Sequence, residues 1–188
     1  MAKLDELKAD SVGLPDFALH SMGARVSNHS PTFKRELTWS QAFLWRLFMD
    51  QPYVEPPSQI QRQKVSLEPG HCWPTVGQSG FVELHLHQPV FTTSFTLDHI
   101  GSNSPDRSSA PKDVKVYGVD ADGHDHHLAS YTYNLDGKVQ QSFSVTNTVA
   151  FKTPFKVVRL NIDSNHGNPD YTCIYRFRVH GRPSRPSE

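Results

Sequence analysis

Residues 81–179 consist largely of short alternating runs, and no other feature narrows the possible folds as far. Phe81-Val82-Glu83-Leu84-His85-Leu86 alternates apolar and polar residues, which sends successive side chains to opposite faces of an extended strand. Val90 to Ile100 is rich in β-branched and aromatic residues. Val114-Lys115-Val116-Tyr117, Phe143-Ser144-Val145, Val157-Val158-Arg159-Leu160-Asn161-Ile162 and Tyr175-Arg176-Phe177-Arg178-Val179 follow at the spacing of a sandwich. Asp122-Gly123 and Asp136-Gly137 are hairpin signals, because glycine readily takes the left-handed conformation that tight hairpin turns need. The expected fold is an antiparallel β-sandwich without internal repeats.

The flanks read differently. Leu4, Leu7 and Ala9 suit the end of a coiled coil, and Gly13 with Pro15 interrupts the helix. Residues 1–15 are therefore expected to be a helical end, residues 16–181 the domain, and 182–188 a disordered tail containing Pro183 and Pro186. Between 26 and 60 the apolar residues crowd together: Phe33, Leu37, Trp39, Phe43, Leu44, Trp45, Leu47, Phe48 and Met49. Periodicity admits either a short helix from Ser40 or a hairpin turning near Asp50. Such a dense apolar segment is either a core element or a flap that needs a partner to cover it.

At 188 residues the chain fits one domain that buries about 70% of its unfolded surface. Nineteen basic residues balance nineteen acidic ones, so there is no broad electrostatic footprint for nucleic acid or an anionic membrane. No apolar run approaches the roughly 18 residues of a membrane span, and no signal peptide is visible. The opening Met-Ala-Lys leads straight into the amphipathic piece, which reads as part of something longer.

Several side-chain groups invite chemistry. His85 and His87 share a strand face, and His124, His126 and His127 follow a turn, but the ligand spacings of zinc sites are missing. Asp120-x-Asp122-Gly123 resembles the start of a calcium loop without its closing glutamate, so a hairpin turn is expected there. Ser108 or Ser109, His99 and Asp113 can be written as a triad, yet no Gly-x-Ser-x-Gly elbow accompanies them. An enzyme is not expected. The third group suits capture of a free C-terminus: His99 and the Ser108-Ser109 pair supply donors for a carboxylate, and Tyr171 and Tyr175 supply hydroxyls and flat apolar faces. Cys72 and Cys173 are either two buried thiols or a long-range disulfide, and composition does not choose.

Blocks spread over almost the whole chain resemble the SUN domain family. They include Asp16-Phe17-Ala18-Leu19, Pro69-Gly70-His71-Cys72-Trp73, Gly80-Phe81, Leu97-Asp98-His99-Ile100, and Ser108-Ser109-Ala110-Pro111-Lys112-Asp113 with Val116-Tyr117-Gly118. Tyr131-Thr132-Tyr133 follows, and the run from Asn165 to Gly181 is the longest and most specific block. The resemblance implies a galactose-binding-like or jelly-roll sandwich with a short N-terminal helix and a protruding β-hairpin lid. It also implies a domain in the perinuclear space of an inner nuclear membrane protein, anchored through regions N-terminal to it and made trimeric by a coiled coil. Its partner would be the C-terminal peptide of a KASH-domain protein, in the LINC complex that couples nucleus and cytoskeleton.

Carried onto matching positions, the peptide's carboxylate would meet His99, Ser109 and Tyr171, with Tyr175 close by. The lid would cover roughly residues 33–56, with Trp45, Leu47, Phe48 and Pro52, and would add a strand to the peptide. Cys72 and Cys173 would form the family's intradomain disulfide, closing a loop around a potassium or sodium ion. Gln61, Lys64, Ser66, His71 and Tyr175 are the residues expected to contribute, mainly through backbone carbonyls. No catalytic cofactor is implied.

The sequence departs from the family in two respects. Val26-Ser27-Asn28-His29-Ser30 lacks the cysteine that vertebrate members carry at the lid base, and Met49-Asp50-Gln51 stands where the family has a glycine-containing turn in a shorter lid. Asn28-His29-Ser30 is a glycosylation sequon, disfavoured by Pro31. A lectin-like carbohydrate-binding sandwich is the alternative function.

Overall fold

A computed structural model describes residues 13–34, 54–101, 104 and 107–184. Its strands are β1 (Arg25–His29), β2 (Trp73–Val76), β3 (Gly80–Asp98), β4 (Asp113–Val119), β5 (Asp125–Thr132), β6 (Gln140–Ser144), β7 (Phe155–Ile162), β8 (Tyr171–Ile174) and β9 (Arg176–Pro183). A one-turn helix, α1 (Val149–Lys152), precedes β7.

Strand β3 organises the sandwich. It runs unbroken for 19 residues through two segments that the sequence separates around Pro89. Proline has no amide to give to a ladder, and the β3–β7 register slips between His85 and Val90. There β3 changes partners. Its first half lies between β1 and β7, in a layer of order β1-β3-β7-β4-β5, and its second half lies between β6 and β9. A two-stranded ladder of β2 and β8 stands beside these layers.

The period-two pattern works as expected in the first half of β3. Val82, Leu84 and Leu86 are fully buried, while His85 and His87 face solvent. Opposite them pack Val116, Val158 and Leu160, and Phe95 stacks on Phe177 with centroids 5.9 Å apart. Each such side chain contributes about 1.5–3 kcal/mol by leaving water.

The two turns fare differently. Asp122-Gly123 does close a hairpin: Val119 pairs with Asp125, and Gly123 has φ 84°. Asp136-Gly137 does not. Strand β6 pairs with β3 rather than β5, so residues 133–139 carry the chain between layers. This connection is held locally, with Gly137 N–H donating to the Asn134 carbonyl and the Gln141 side-chain oxygen accepting from Asn134 N–H. The tail boundary also moves. Arg182 and Pro183 complete β9, and Ser184 N–H donates to the Pro89 carbonyl at 2.9 Å.

At the N-terminus, residues 1–12 and their expected helix lie outside the described residues. Gly13–Pro15 are not helical, and a single 3-10 turn covers His20–Met22. Residues 16–19 form a buried strap along β9: Phe17 N–H donates to Val179 C=O at 2.8 Å, and His180 Nδ1 lies 2.8 Å from the Pro15 carbonyl. Strand β9 is therefore buried on both faces. Phe177 and Val179 enter the core, while Arg176, Arg178 and His180 point to the other side. Each of these finds a partner there: Asp16 for Arg176, Asp98 for Arg178 and Thr96 for His180.

Candidate functional site

The β2–β8 ladder places the candidate residues. Pro74 pairs with Cys173 and Val76 with Tyr171, and the disulfide Cys72–Cys173, with Cα atoms 5.6 Å apart, ties the start of β2 to β8. A cavity of about 470 Å³ opens beside this ladder. Cys72, Pro74, Tyr171 and Cys173 form its wall, and Phe33, Val54 and Glu55 border it from the two ends of the expected lid. Phe33 lies on Tyr171 with ring centroids 5.1 Å apart, and its N–H donates to Pro74 C=O. The chain thus leaves at Phe33-Lys34 and returns at Val54 beside one groove. Trp45, Leu47, Phe48 and Pro52 lie outside the described residues.

Two asparagines shape the loop before Tyr171. Asn168 Oδ1 accepts from Asp170 N–H and Tyr171 N–H, at 2.9 and 3.1 Å. Asn165 Nδ2 lies 2.8–3.1 Å from the carbonyls of Asn168 and Tyr171 and the Thr172 hydroxyl. Between them Gly167 has φ 114°, which excludes other side chains without strain. The loop from Arg107 zips onto this segment, with Cys173 N–H donating to Ser109 C=O at 2.8 Å and His166 N–H to Ala110 C=O.

Of the four residues expected to hold a carboxylate, Tyr171 lines the cavity, while Ser109, His99 and Tyr175 are buried. His99 stands edge-on to Tyr175, centroids 5.0 Å apart, with Tyr133 on another side at 6.2 Å. Among the described residues no well-formed hydrogen bond reaches either ring nitrogen of His99, although the Ile100 backbone lies close enough to favour its protonated form. Burial, with help from nearby His166 and Arg107, lowers its pKa from 6.5 to about 4, so the ring is neutral at physiological pH. Burial likewise pushes the Tyr175 and Tyr133 phenols up to about 12, which keeps them protonated donors.

The other groups do not assemble into sites. The Asp113 carboxylate accepts from Ser164 and Thr132 hydroxyls, which lower its pKa, so it is turned to partners other than His99 and no triad forms. Asp120, Asp122 and His124 do cluster, but Asp120 is occupied as the hinge of the hairpin turn, accepting from the N–H groups of Asp122 and His124 and lying 2.8 Å from His126 Nε2. In the disulfide-closed loop, several side chains of the residues expected around a cation have other surroundings. The Gln61 amide donates to Ala18 C=O, Lys64 and Ser66 are exposed, and His71 turns to Glu55 and Glu68. A hard cation takes oxygen ligands, which Lys64 and His71 side chains do not offer, whereas the Gln61 side-chain oxygen is buried without a hydrogen-bond partner among the described residues and main-chain oxygens remain as further donors.

Phe33, Asn165, Asn168 and Arg176 were not singled out as site residues from sequence. A signal existed for Arg176: two arginines two apart on an otherwise apolar strand require a buried acid when that face is covered.

The Sad1/UNC-like C-terminal family model matches residues 51–183. The chain belongs to that family of SUN domains. Klaroid protein of Drosophila melanogaster is 36% identical over 180 residues, covering 93% of this chain and 18% of its own length. SUN domain-containing protein 3 of Bos taurus is 36% identical over 98% of this SUN domain chain and 51% of its own length. The chain therefore spans about half or less of these relatives. Among solved structures, a family 32 carbohydrate-binding module from Streptococcus pneumoniae EndoD superposes with a TM-score of 0.61 at 18% identity, over 89% of this chain and 99% of the module. That likeness shows the sandwich fold alone.

Proposed function

We propose that this SUN domain captures the C-terminal peptide of a KASH-domain protein in the perinuclear space, as one subunit of a homotrimer. In this reading it bridges the nuclear membranes within the LINC complex, with the membrane anchor in the parent protein's N-terminal regions. The observation that carries it is the meeting of Phe33, Val54 and Tyr171 at one groove. A strand added by the lid segment would run directly to the phenol expected to read the chain end, and β-augmentation combines main-chain hydrogen bonds with such end recognition. His99 supports the reading, because a buried imidazole with no well-formed hydrogen bond among the described residues has room for a further acceptor or donor. Trivalency would add avidity when several peptides are linked.

Capture is non-covalent. The chain has two cysteines, and both are used in the Cys72–Cys173 disulfide. A potassium or sodium ion held by main-chain oxygens of residues 61–72 belongs to the same reading; replacing both by tetramethylammonium should lower the melting temperature, and an unchanged melt removes the ion. The carboxylate model is tested by fluorescence anisotropy with a KASH C-terminal peptide and its C-terminal amide. Binding of the acid form alone is expected, and equal affinity for the amide refutes the pocket. A glycan array tests the lectin-like alternative.

A further inference from the structure

Arg176 holds two segments at once. One guanidinium nitrogen donates to Asp16 Oδ2 at 3.1 Å and the other terminal nitrogen to the Gln63 carbonyl at 2.8 Å. The side chains of Arg176 and Asp16 are each 4% exposed. The second oxygen of Asp16 accepts from Ala18 N–H and Val179 N–H, which pins the strap to β9. Beside this, the Gln61 amide donates to the Ala18 carbonyl at 3.0 Å. The strap at residues 15–19 and the start of the loop at 61–63 therefore share two buried side chains. That loop ends at Cys72, bonded to Cys173, two residues from Tyr171 on the groove wall.

We propose that Arg176 is a positioning residue that couples docking of the N-terminal strap to the groove. With the strap seated, the guanidinium fork is fixed and holds the loop, and the disulfide passes that constraint to β8. By linkage, a ligand that steadies the groove seats the strap more firmly by the same factor. The planar fork is essential, since an ammonium on a flexible stem keeps the Asp16 charge pair without spanning to Gln63. The intrachain coupling stands without any ligand, while its extension to a bound peptide rests on the proposed function.

Hydrogen exchange on the full chain tests both parts, using wild type, Asp16→Asn, Arg176→Lys and the double variant. Asp16→Asn should speed exchange about tenfold in residues 62–72 and 171–173, within the usual range of site-to-site coupling, and leave β4 and β7 unchanged. Arg176→Lys should loosen the same loop, and adding Asp16→Asn to it should loosen the loop no further. An effect confined to residues 13–19, one spread evenly over the domain, or additive loosening in the double variant overturns the proposal. Saturating KASH C-terminal peptide should slow exchange at Phe17 and Ala18 in wild type but not in Arg176→Lys. Peptide binding to wild type without that slowing overturns the extension to the groove. A peptide that fails to bind wild type sinks the proposed function instead, and the ligand-free comparison still decides the role of Arg176.

Discussion

The ring of Phe33 is stacked on that of Tyr171, 5.1 Å between centroids and 28° between planes, so the residue where the expected lid begins and the groove wall are one aromatic surface. Stacked pairs of this kind contribute about 0.5–1.5 kcal/mol beyond their burial. Phe33→Ala is therefore expected to weaken KASH peptide binding roughly two- to tenfold while the domain stays folded. Anisotropy titration beside a thermal melt checks this; a collapsed melt would make Phe33 a core residue instead.

His99 makes stability depend on pH. Its folded-state pKa, about 4, lies below its ordinary 6.5, so the unfolded chain takes up the proton first as pH falls. The stabilisation is fully present above 6.5 and is lost between 6.5 and 4. At about 1.4 kcal/mol per unit the loss is of order 3 kcal/mol. Denaturant unfolding at pH 7 and 4.5 should show a steeper decline for wild type than for His99→Phe. Burial lowers His180 in the same direction, and the difference between the two proteins cancels that contribution. Equal slopes would rule the assignment out.

The disulfide spans 101 residues of sequence. Closing a loop near 100 residues contributes about 4.7 kcal/mol in the chain-entropy model, with 2–4 kcal/mol typical. A Cys72→Ser, Cys173→Ser double variant is expected to lose stability in that typical range and to bind peptide more weakly. Non-reducing gels of the wild-type complex should show no covalent peptide adduct.

Gly118 is required by a close approach. A Cβ at this position of β4 would come within 2.4 Å of the buried Phe155 ring. Gly118→Ala should cost about 1–3 kcal/mol through overpacking, and Phe155→Leu in the same chain should recover part of it. Chemical denaturation of the single and double variants measures both.

Much of this was legible in the residues. Alternation marked the inward Val82, Leu84 and Leu86, and the Asp122-Gly123 turn followed from glycine's freedom. The blocks around Tyr171, Cys173 and Asp98-His99 identified the family and, through it, the disulfide. Less legible were the continuity of β3 through Pro89, the layer crossing at Asp136-Gly137 and the end of β9. Local propensity reports which backbone shapes a segment tolerates, whereas strand pairing depends on partners many residues away.

The Phe33–Tyr171 contact shows where the boundary falls. Periodicity was enough for a β-sandwich, and the resemblance of its residue blocks to the SUN family implied the residues at its groove. They said nothing of which face of β9 the strap would cover. Alternation alone would leave Arg176, Arg178 and His180 to solvent. Only the folded chain brings Asp16 to Arg176 across 160 residues and Phe33 to Tyr171. Burying a charge is favourable only when its partner arrives with it, and that pairing is a property of the three-dimensional packing.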